Sequence, residues 1–235
     1  MSTRRARSHD PSILARSTAP FVSRAEAGRL LGFQLLKYKA MEPVVLGIPR
    51  GGVQVAAEVA RVLDARLDLV CARKLVSPDD PDCVVGAVCE DGSSFLDDLA
   101  VHQAGTDADC LQKERLRQGA AMAEAVRRYR AAHQKVSLKS RMAILVDDAA
   151  ATGETMRAAI WTVMKAAPRG VIVALPVAPR YVLDSLAQEV NNVVCLRTPV
   201  FFEGIEDCYL NFPKVDDRGV LDALRVQPER GTMMW

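Results

Sequence analysis

From Ser23 onward the chain alternates short apolar runs with amphipathic stretches. The runs are Val44–Ile48, Leu67–Ala72, Ala143–Val146, Val171–Leu175 and Val193–Leu196. Each has strand length and little polar alternation, as expected for strands covered on both faces. Helical periodicity separates several of them, over 52–64, 153–166 and 179–188. Residues 24–39 also predict a helix, with Ala27, Leu30, Leu31 and Leu35 on one side and Ser23 as its N-cap. Strand and helix in alternation predict an α/β fold: a doubly wound, mainly parallel sheet of about five strands flanked by helices. Ligands of such sheets bind at the carboxyl ends of the strands.

Two stretches depart from the alternation. Val84–Cys89, Asp91-Gly92 and Ser93–Leu96 read as a β-hairpin with a tight turn. A long helix over about 108–132 follows, with Leu116, Ala120, Ala123 and Val126 as its expected inward stripe. Its Lys113, Arg115, Arg117, Arg127, Arg128 and Arg130 read as a solvated basic face or, alternatively, as a phosphate or nucleic-acid surface. Residues 1–20 carry Arg4, Arg5, Arg7 and Arg16 against one acid, Asp10. That composition suits an organelle-targeting peptide or a disordered tail, and the lack of an apolar face favours the tail. Residues 21–235 then form a single domain.

Composition narrows the classes of function. Apolar residues make up 49% and charged residues 26%, ordinary for a folded globular chain. No apolar run reaches the roughly 18 residues of a membrane span. The net charge of +2 and an aromatic content of 5% argue against a nucleic-acid surface or a base-stacking platform. The six cysteines, at 71, 83, 89, 110, 195 and 208, form no C-x-x-C pair, and the three histidines are scattered. Reduced thiols and a cytoplasmic location are the simplest expectation. The glycine fingerprint of dinucleotide-binding folds, the P-loop, the G-x-S-x-G elbow and H-E-x-x-H are all absent from the sequence.

The stretch richest in chemistry is Ile144-Leu-Val-Asp147-Asp148-Ala149-Ala150-Ala151-Thr152-Gly153-Glu154-Thr155. An apolar strand runs into two carboxylates, then small residues, then Thr-Gly-x-Thr and a helix. Small residues let a ligand approach the backbone, and Gly153 permits a tight turn. The unpaired amides opening the next helix, with the Thr152 and Thr155 hydroxyls, form a cradle for a phosphate dianion. The acids would repel a phosphate, so they suit what stands beside it: vicinal hydroxyls, which donate to carboxylates, or Mg2+. A ribose 5-phosphate unit meets both demands. Adjacent strand residues face opposite ways, so the strand is expected to end at Asp147, with Asp148 opening the loop.

This segment resembles the binding motif for phosphoribosyl pyrophosphate (PRPP) in the type I phosphoribosyltransferases. The resemblance gives Asp147 and Asp148 the ribose hydroxyls and Ala149 to Thr155 the 5′-phosphate. Two further segments fit it. Pro49-Arg50-Gly51-Gly52, between a strand and a helix, stands where the family has its pyrophosphate loop, often with a non-proline cis peptide. Arg73 and Lys74 stand where several members place two cations toward the pyrophosphate. With V-G-A-V, A-L-P-V-A-P and a C-terminal Y-x-x-F, the likeness covers roughly residues 21–224 and points to a mainly bacterial subgroup, some of whose members are fused to a hydrolase.

It implies the type I fold with a small hood, a Mg2+-dependent transfer from PRPP to a small-molecule acceptor, no membrane partner, and room for a homodimer. Asp147, Asp148 and Lys74 are the expected catalytic residues, and the two acids the expected Mg2+ ligands, directly or through water. Some members of the family instead sense PRPP or nucleotides without turnover, and that alternative stays open.

Three departures matter. Ala149 stands where the subgroup has Gly, and Asp82 where it has Glu. Ala151 stands where the 6-oxopurine enzymes carry an acid, which argues against hypoxanthine and guanine as acceptors. Asp79, Asp80, Asp82 and Glu90 occupy the region of the family's mobile loop, as a general base or as solvated acids. Phe201, Phe202, Tyr209 and Phe212 read either as a hood over the acceptor or as a satellite core.

Overall fold

A computed structural model describes residues 10–15, 19–78, 80, 83–202 and 204–225. Its main sheet has six parallel strands: β1 (Ser12–Ala15), β2 (Val44–Gly47), β3 (Arg66–Leu69), β7 (Met142–Val146), β8 (Gly170–Val177) and β9 (Asn192–Arg197). Their spatial order is β1-β9-β8-β7-β2-β3. Between β3 and β7 the chain builds a second, antiparallel sheet from β4 (Ala72–Val76), β5 (Val84–Cys89) and β6 (Ser94–Leu96). Helices α3 (Asp98–Ala104) and α4 (Ala108–Arg130) complete this insertion.

Alternate strand residues feed two separate cores, which is why the strands are apolar without alternation. Val45, Ile144, Ile172 and Val194 pack beneath α1 (Arg24–Leu35) and α2 (Gly51–Leu63). Val44, Leu145, Val173 and Val193 pack on the other face, beneath α5 (Glu154–Met164) and α6 (Arg180–Leu186). A short helix α7 (Asp217–Arg225) packs on α2. The chain leaves β2 in one direction, to β3, and leaves β7 in the other, to β8 and β9. The switch point therefore lies between β2 and β7, and the loops beyond both strands meet there.

Several expected boundaries shift for physical reasons. Ser12–Ala15, inside the stretch read as a tail, pair in parallel with β9, Ser12 opposite Val194, and so cover an edge that would otherwise be open. The sheet thus has six strands. Residues 1–9 and 16–18 of that stretch lie outside the described residues. The run Leu67–Ala72 splits in two. Its partner β2 pairs only from Val44 opposite Arg66 to Gly47 opposite Leu69, so the chain peels away and begins β4. The hairpin expected at 84–96 is present, with Gly92 at φ 78.

The buried line of α4 is Leu111, Met122 and Tyr129; of the expected stripe Val126 packs against this core, half-buried, while Ala120 and Ala123 are exposed and Leu116 is 63% exposed. The large side chains, spaced by three turns and then two, outweigh the alanines in choosing the face. In α1, Leu30 likewise turns outward while Ala27, Leu31 and Leu35 are buried. Among the described residues no helix is long and apolar enough to cross a membrane.

One basic residue of α4 points inward. Arg130 donates to Asp68 (2.6 Å), to both oxygens of Glu90 (2.6 and 3.0 Å) and to the Leu69 carbonyl (3.1 Å). Asp68 also accepts from the Val136 and Leu69 amides at 2.8 and 2.7 Å. This knot ties the hairpin turn to the edge of the main sheet. Others of the series are paired on the surface, Arg117 with Glu114 and Arg128 with Glu124, as a solvated face requires. Removing one partner of a buried ion network leaves the others uncompensated. Arg130→Ala should lower the unfolding free energy by about 3–5 kcal/mol in urea titration, and a loss below about 1 kcal/mol would show that water replaces the guanidinium.

Candidate functional site

β7 ends at Val146, one residue earlier than expected, so both acids lie beyond the strand. Asp147 is half-buried and its Oδ1 accepts from the Asp148 amide at 2.9 Å. Burial, and then the charge of Asp148, push the Asp147 carboxyl well above the usual carboxylate range, while Arg24 acts in the opposite sense. Asp148 turns inward and is buried. Its Oδ2 meets Arg24 Nε at 2.8 Å, and its backbone carbonyl accepts from the Tyr209 hydroxyl at 2.5 Å.

The loop beyond β2 lies directly against this pair. The peptide between Pro49 and Arg50 is cis. A Cβ on Gly51 would overlap Asp148 Oδ2, and one on Gly52 would stand 2.6 Å from Asp147 Oδ1 and 2.8 Å from Asp147 Cα. The glycine pair is therefore required here by close approach. Arg50 is exposed at the N-cap of α2, and among the described residues no hydrogen bond or ion pair holds its guanidinium.

On the other side of the acids, Ala149 and Ala150 are buried, and the Ala150 amide is already bonded to Val177 O at 3.1 Å. Gly153, at φ 82, sits at the N-cap of α5, and a Cβ there would meet Val182 at 2.9 Å. The next amides open α5 without helical acceptors. Thr152 and Thr155 are exposed beside them. The Glu154 carboxylate lies 3.6 Å from Arg157, which offsets its charge near the cradle.

The structure separates some of the residues the sequence grouped. Arg73 and Lys74 lie within β4, not at the end of a main-sheet strand, and neighbouring strand residues face opposite ways. Arg73 reaches Gln118 of α4 at 3.1 Å, whereas Lys74 is exposed from the other face. Glu90 is held by Arg130, so it is part of the structural knot and no longer a candidate base. Asp79 and Asp82 lie outside the described residues.

The aromatic group divides in two. Phe201 and Phe202, with Tyr181, Thr198, Ala151 and Thr152, line an open cavity of about 990 Å3 beside the Thr-Gly-x-Thr loop. Tyr209 and Phe212 stack on each other instead, and Arg24 lies over the Phe212 ring. Arg24 was invisible in the sequence: it is 124 positions from Asp148 and looks like any polar residue opening an amphipathic helix.

Comparison with known proteins identifies the family and the fold. The model of the phosphoribosyl transferase domain matches residues 23–211. Over 204 residues the chain is 36% identical to two Mycobacterium tuberculosis proteins, "Putative phosphoribosyl transferase Rv0571c" of strain ATCC 25618 / H37Rv and "Putative phosphoribosyl transferase MT0597" of strain CDC 1551 / Oshkosh. That match covers 87% of this chain and 46% of each relative, so the chain spans about half their length. The crystal structure of TT1426 from Thermus thermophilus is 39% identical, with a TM-score of 0.82 over 88% of this chain and 98% of that one. The chain belongs to the phosphoribosyl transferase family.

The acid pair and its glycines lead to two expected outcomes. A carboxyl whose folded pKa is raised contributes fully below its ordinary pKa, and that contribution is lost as pH rises through the raised value. Above the ordinary carboxylate range the raised value of Asp147 therefore costs stability. Asp147→Asn keeps an oxygen for the Asp148 amide and should stabilise the free protein by about 0.5–2 kcal/mol in thermal unfolding. A lower melting temperature would contradict the assigned shift. Gly52→Ala should destabilise by about 1–3 kcal/mol in the same assay, because backbone rather than a flexible side chain blocks the new methyl; wild-type stability would contradict the packing.

Proposed function

We propose that the chain catalyses transfer of ribose 5-phosphate from PRPP to a small planar acceptor, a nucleobase or similar amine, with release of pyrophosphate. The observation that carries this reading is the seating of Gly51-Gly52 against Asp147-Asp148 at the switch point. A diphosphate-sized loop, two hydroxyl-accepting acids and an anion cradle are then consecutive parts of one surface.

In this reading the 5′-phosphate lies on the amides opening α5 with Thr152 and Thr155, flanked by Ala149 to Glu154. The sugar hydroxyls donate to Asp147 and Asp148. The diphosphate lies over the Pro49–Gly52 loop, where Arg50 and the glycine amides face it, with Lys74 approaching from the insertion. Arg73 contributes only by leaving Gln118. Bond cleavage at the anomeric carbon builds positive charge on the sugar, as in glycosyl transfer generally. The two acids favour that charge, and Arg50, Lys74 and the amides favour the negative charge on the departing group. The cavity beside Ala151 takes the acceptor, with Phe201, Phe202 and Tyr181 suited to a flat ring.

Mg2+ fits the donor set, since it takes one or two carboxylates together with substrate phosphates and keeps most of its water. Asp147, with Asp148 through water, would hold it; when bound it supplies positive charge beside the pyrophosphate.

Calorimetry of the full chain with Mg2+ and PRPP tests the binding, and pyrophosphate release against a panel of bases and amines tests the turnover. Lys74→Ala should weaken PRPP about tenfold or more, a charge-assisted contact of about 1.5 kcal/mol, and leave ribose 5-phosphate within about twofold. Equal losses for both ligands would remove Lys74 from the pyrophosphate. PRPP binding without release from any acceptor would favour the sensing alternative, and no binding at millimolar PRPP would put the site elsewhere.

A further inference from the structure

Arg24 is placed where two physical costs oppose it. It is the first residue of α1, where the helix dipole disfavours a cation. Its side chain is only 7% exposed, so the guanidinium has given up most of its water. A buried ion pair adds little net stability over apolar residues of the same shape, so the gain from this one is in geometry.

The contacts of Arg24 show what geometry is fixed. Nε meets Asp148 Oδ2 at 2.8 Å, and Nη1 donates to Pro213 O at 2.7 Å. The guanidinium lies 3.7 Å over the Phe212 ring, and Phe212 stacks on Tyr209 at 5.1 Å. The Tyr209 hydroxyl then returns to the Asp148 carbonyl at 2.5 Å. The segment that carries these rings is itself tied to the entry of α1, by Leu210 N to Phe21 O (2.7 Å) and Asn211 N to Val22 O (3.1 Å). Asp148 is thus clamped through both its main chain and one carboxylate oxygen. Among the described residues no amide or basic side chain donates to the other oxygen, Oδ1, and the Asp147 carboxyl stands within hydrogen-bond reach of the Asp148 carboxylate.

We propose that Arg24 is a positioning residue for sugar recognition: it fixes the Asp148 carboxylate so that Oδ1 is presented to a ribose hydroxyl. The inference rests on the ribose-phosphate reading of the site given above. It assigns the discrimination between a hydroxylated and a bare sugar ring to a side chain from the start of the fold, outside the motif that carries the acids.

The test uses ribose 5-phosphate and 2,3-dideoxyribose 5-phosphate, which share the ring and phosphate and differ in the two hydroxyls. In calorimetry the wild-type chain should prefer ribose 5-phosphate by about tenfold or more, the scale of one charge-assisted hydrogen bond. Arg24→Gln should bring the two sugars within about twofold while its affinity for the dideoxy sugar stays within about twofold of wild type. Arg24→Lys should recover part of the preference. A general loosening of the fold would weaken both sugars alike, so equal losses, or an undiminished preference, would overturn the proposal.

Should Arg24→Gln fail to fold, Tyr209→Phe loosens the same carboxylate from its main-chain side. It should also narrow the preference, and an unchanged ratio there would equally overturn the clamp. A wild-type chain that binds both sugars alike would instead refute the ribose reading of the acids, and the role of Arg24 with it.

Discussion

Two adjacent carboxylates stand half-buried and buried at the carboxyl end of β7, and much of the surrounding structure follows from holding them there. Burial, and then the charge of Asp148, raise the cost of charging Asp147. The neighbouring loop can approach only because Gly51 and Gly52 carry no Cβ. One carboxylate is held by a guanidinium brought from the first turn of α1, and the peptide that follows Asp148 is tied down by a tyrosine from the C-terminal segment. A site of this kind is less stable than an apolar one would be, which is the usual relation between binding geometry and stability.

The remainder of the fold sets the direction from which a ligand can arrive. The parallel sheet fixes where the loops beyond β2 and β7 meet, because the chain turns opposite ways after those two strands. The insertion between β3 and β7 is a separate antiparallel layer, anchored to the main sheet through Arg130, Asp68 and Glu90. Its exposed Lys74 is held by a strand rather than by a loose loop. On the far side, the open cavity with Phe201 and Phe202 adjoins Ala151 and Thr152, so the Thr-Gly-x-Thr loop and an aromatic wall share one boundary. An acidic residue at position 151 would have added a charge to a lining that already holds Arg180 and Asp184; alanine adds none.

Local composition decides much of this. The apolar runs determined the parallel strands, because residues covered on both faces need no alternation, and the helical periods between them determined the crossovers. The acid pair, the small residues and Thr-Gly-x-Thr were legible as one segment because the site's densest part is contiguous in the chain. Cap chemistry was equally local: the Ser23 side chain does accept from the Glu26 amide, at 3.3 Å.

Only tertiary structure decided what depends on partners distant in sequence. An edge strand is set by the edge it finds, so Ser12–Ala15 became β1 without any local signal. A strand's length is set by its neighbour, so the run at 67–72 broke where β2 ended. The inward line of α4 was set by the surface beneath it. Glu90 read as a base or a solvated acid, and Arg24 drew no reading, until the fold set them against Arg130 and Asp148. Sequence alone determined which groups are the candidates for a phosphate and a sugar, because such groups are recognised by their own chemistry and spacing. Which carboxylate oxygen is left open, and which side chain holds the other, depends on contacts between residues 124 apart, and only packing brings those together.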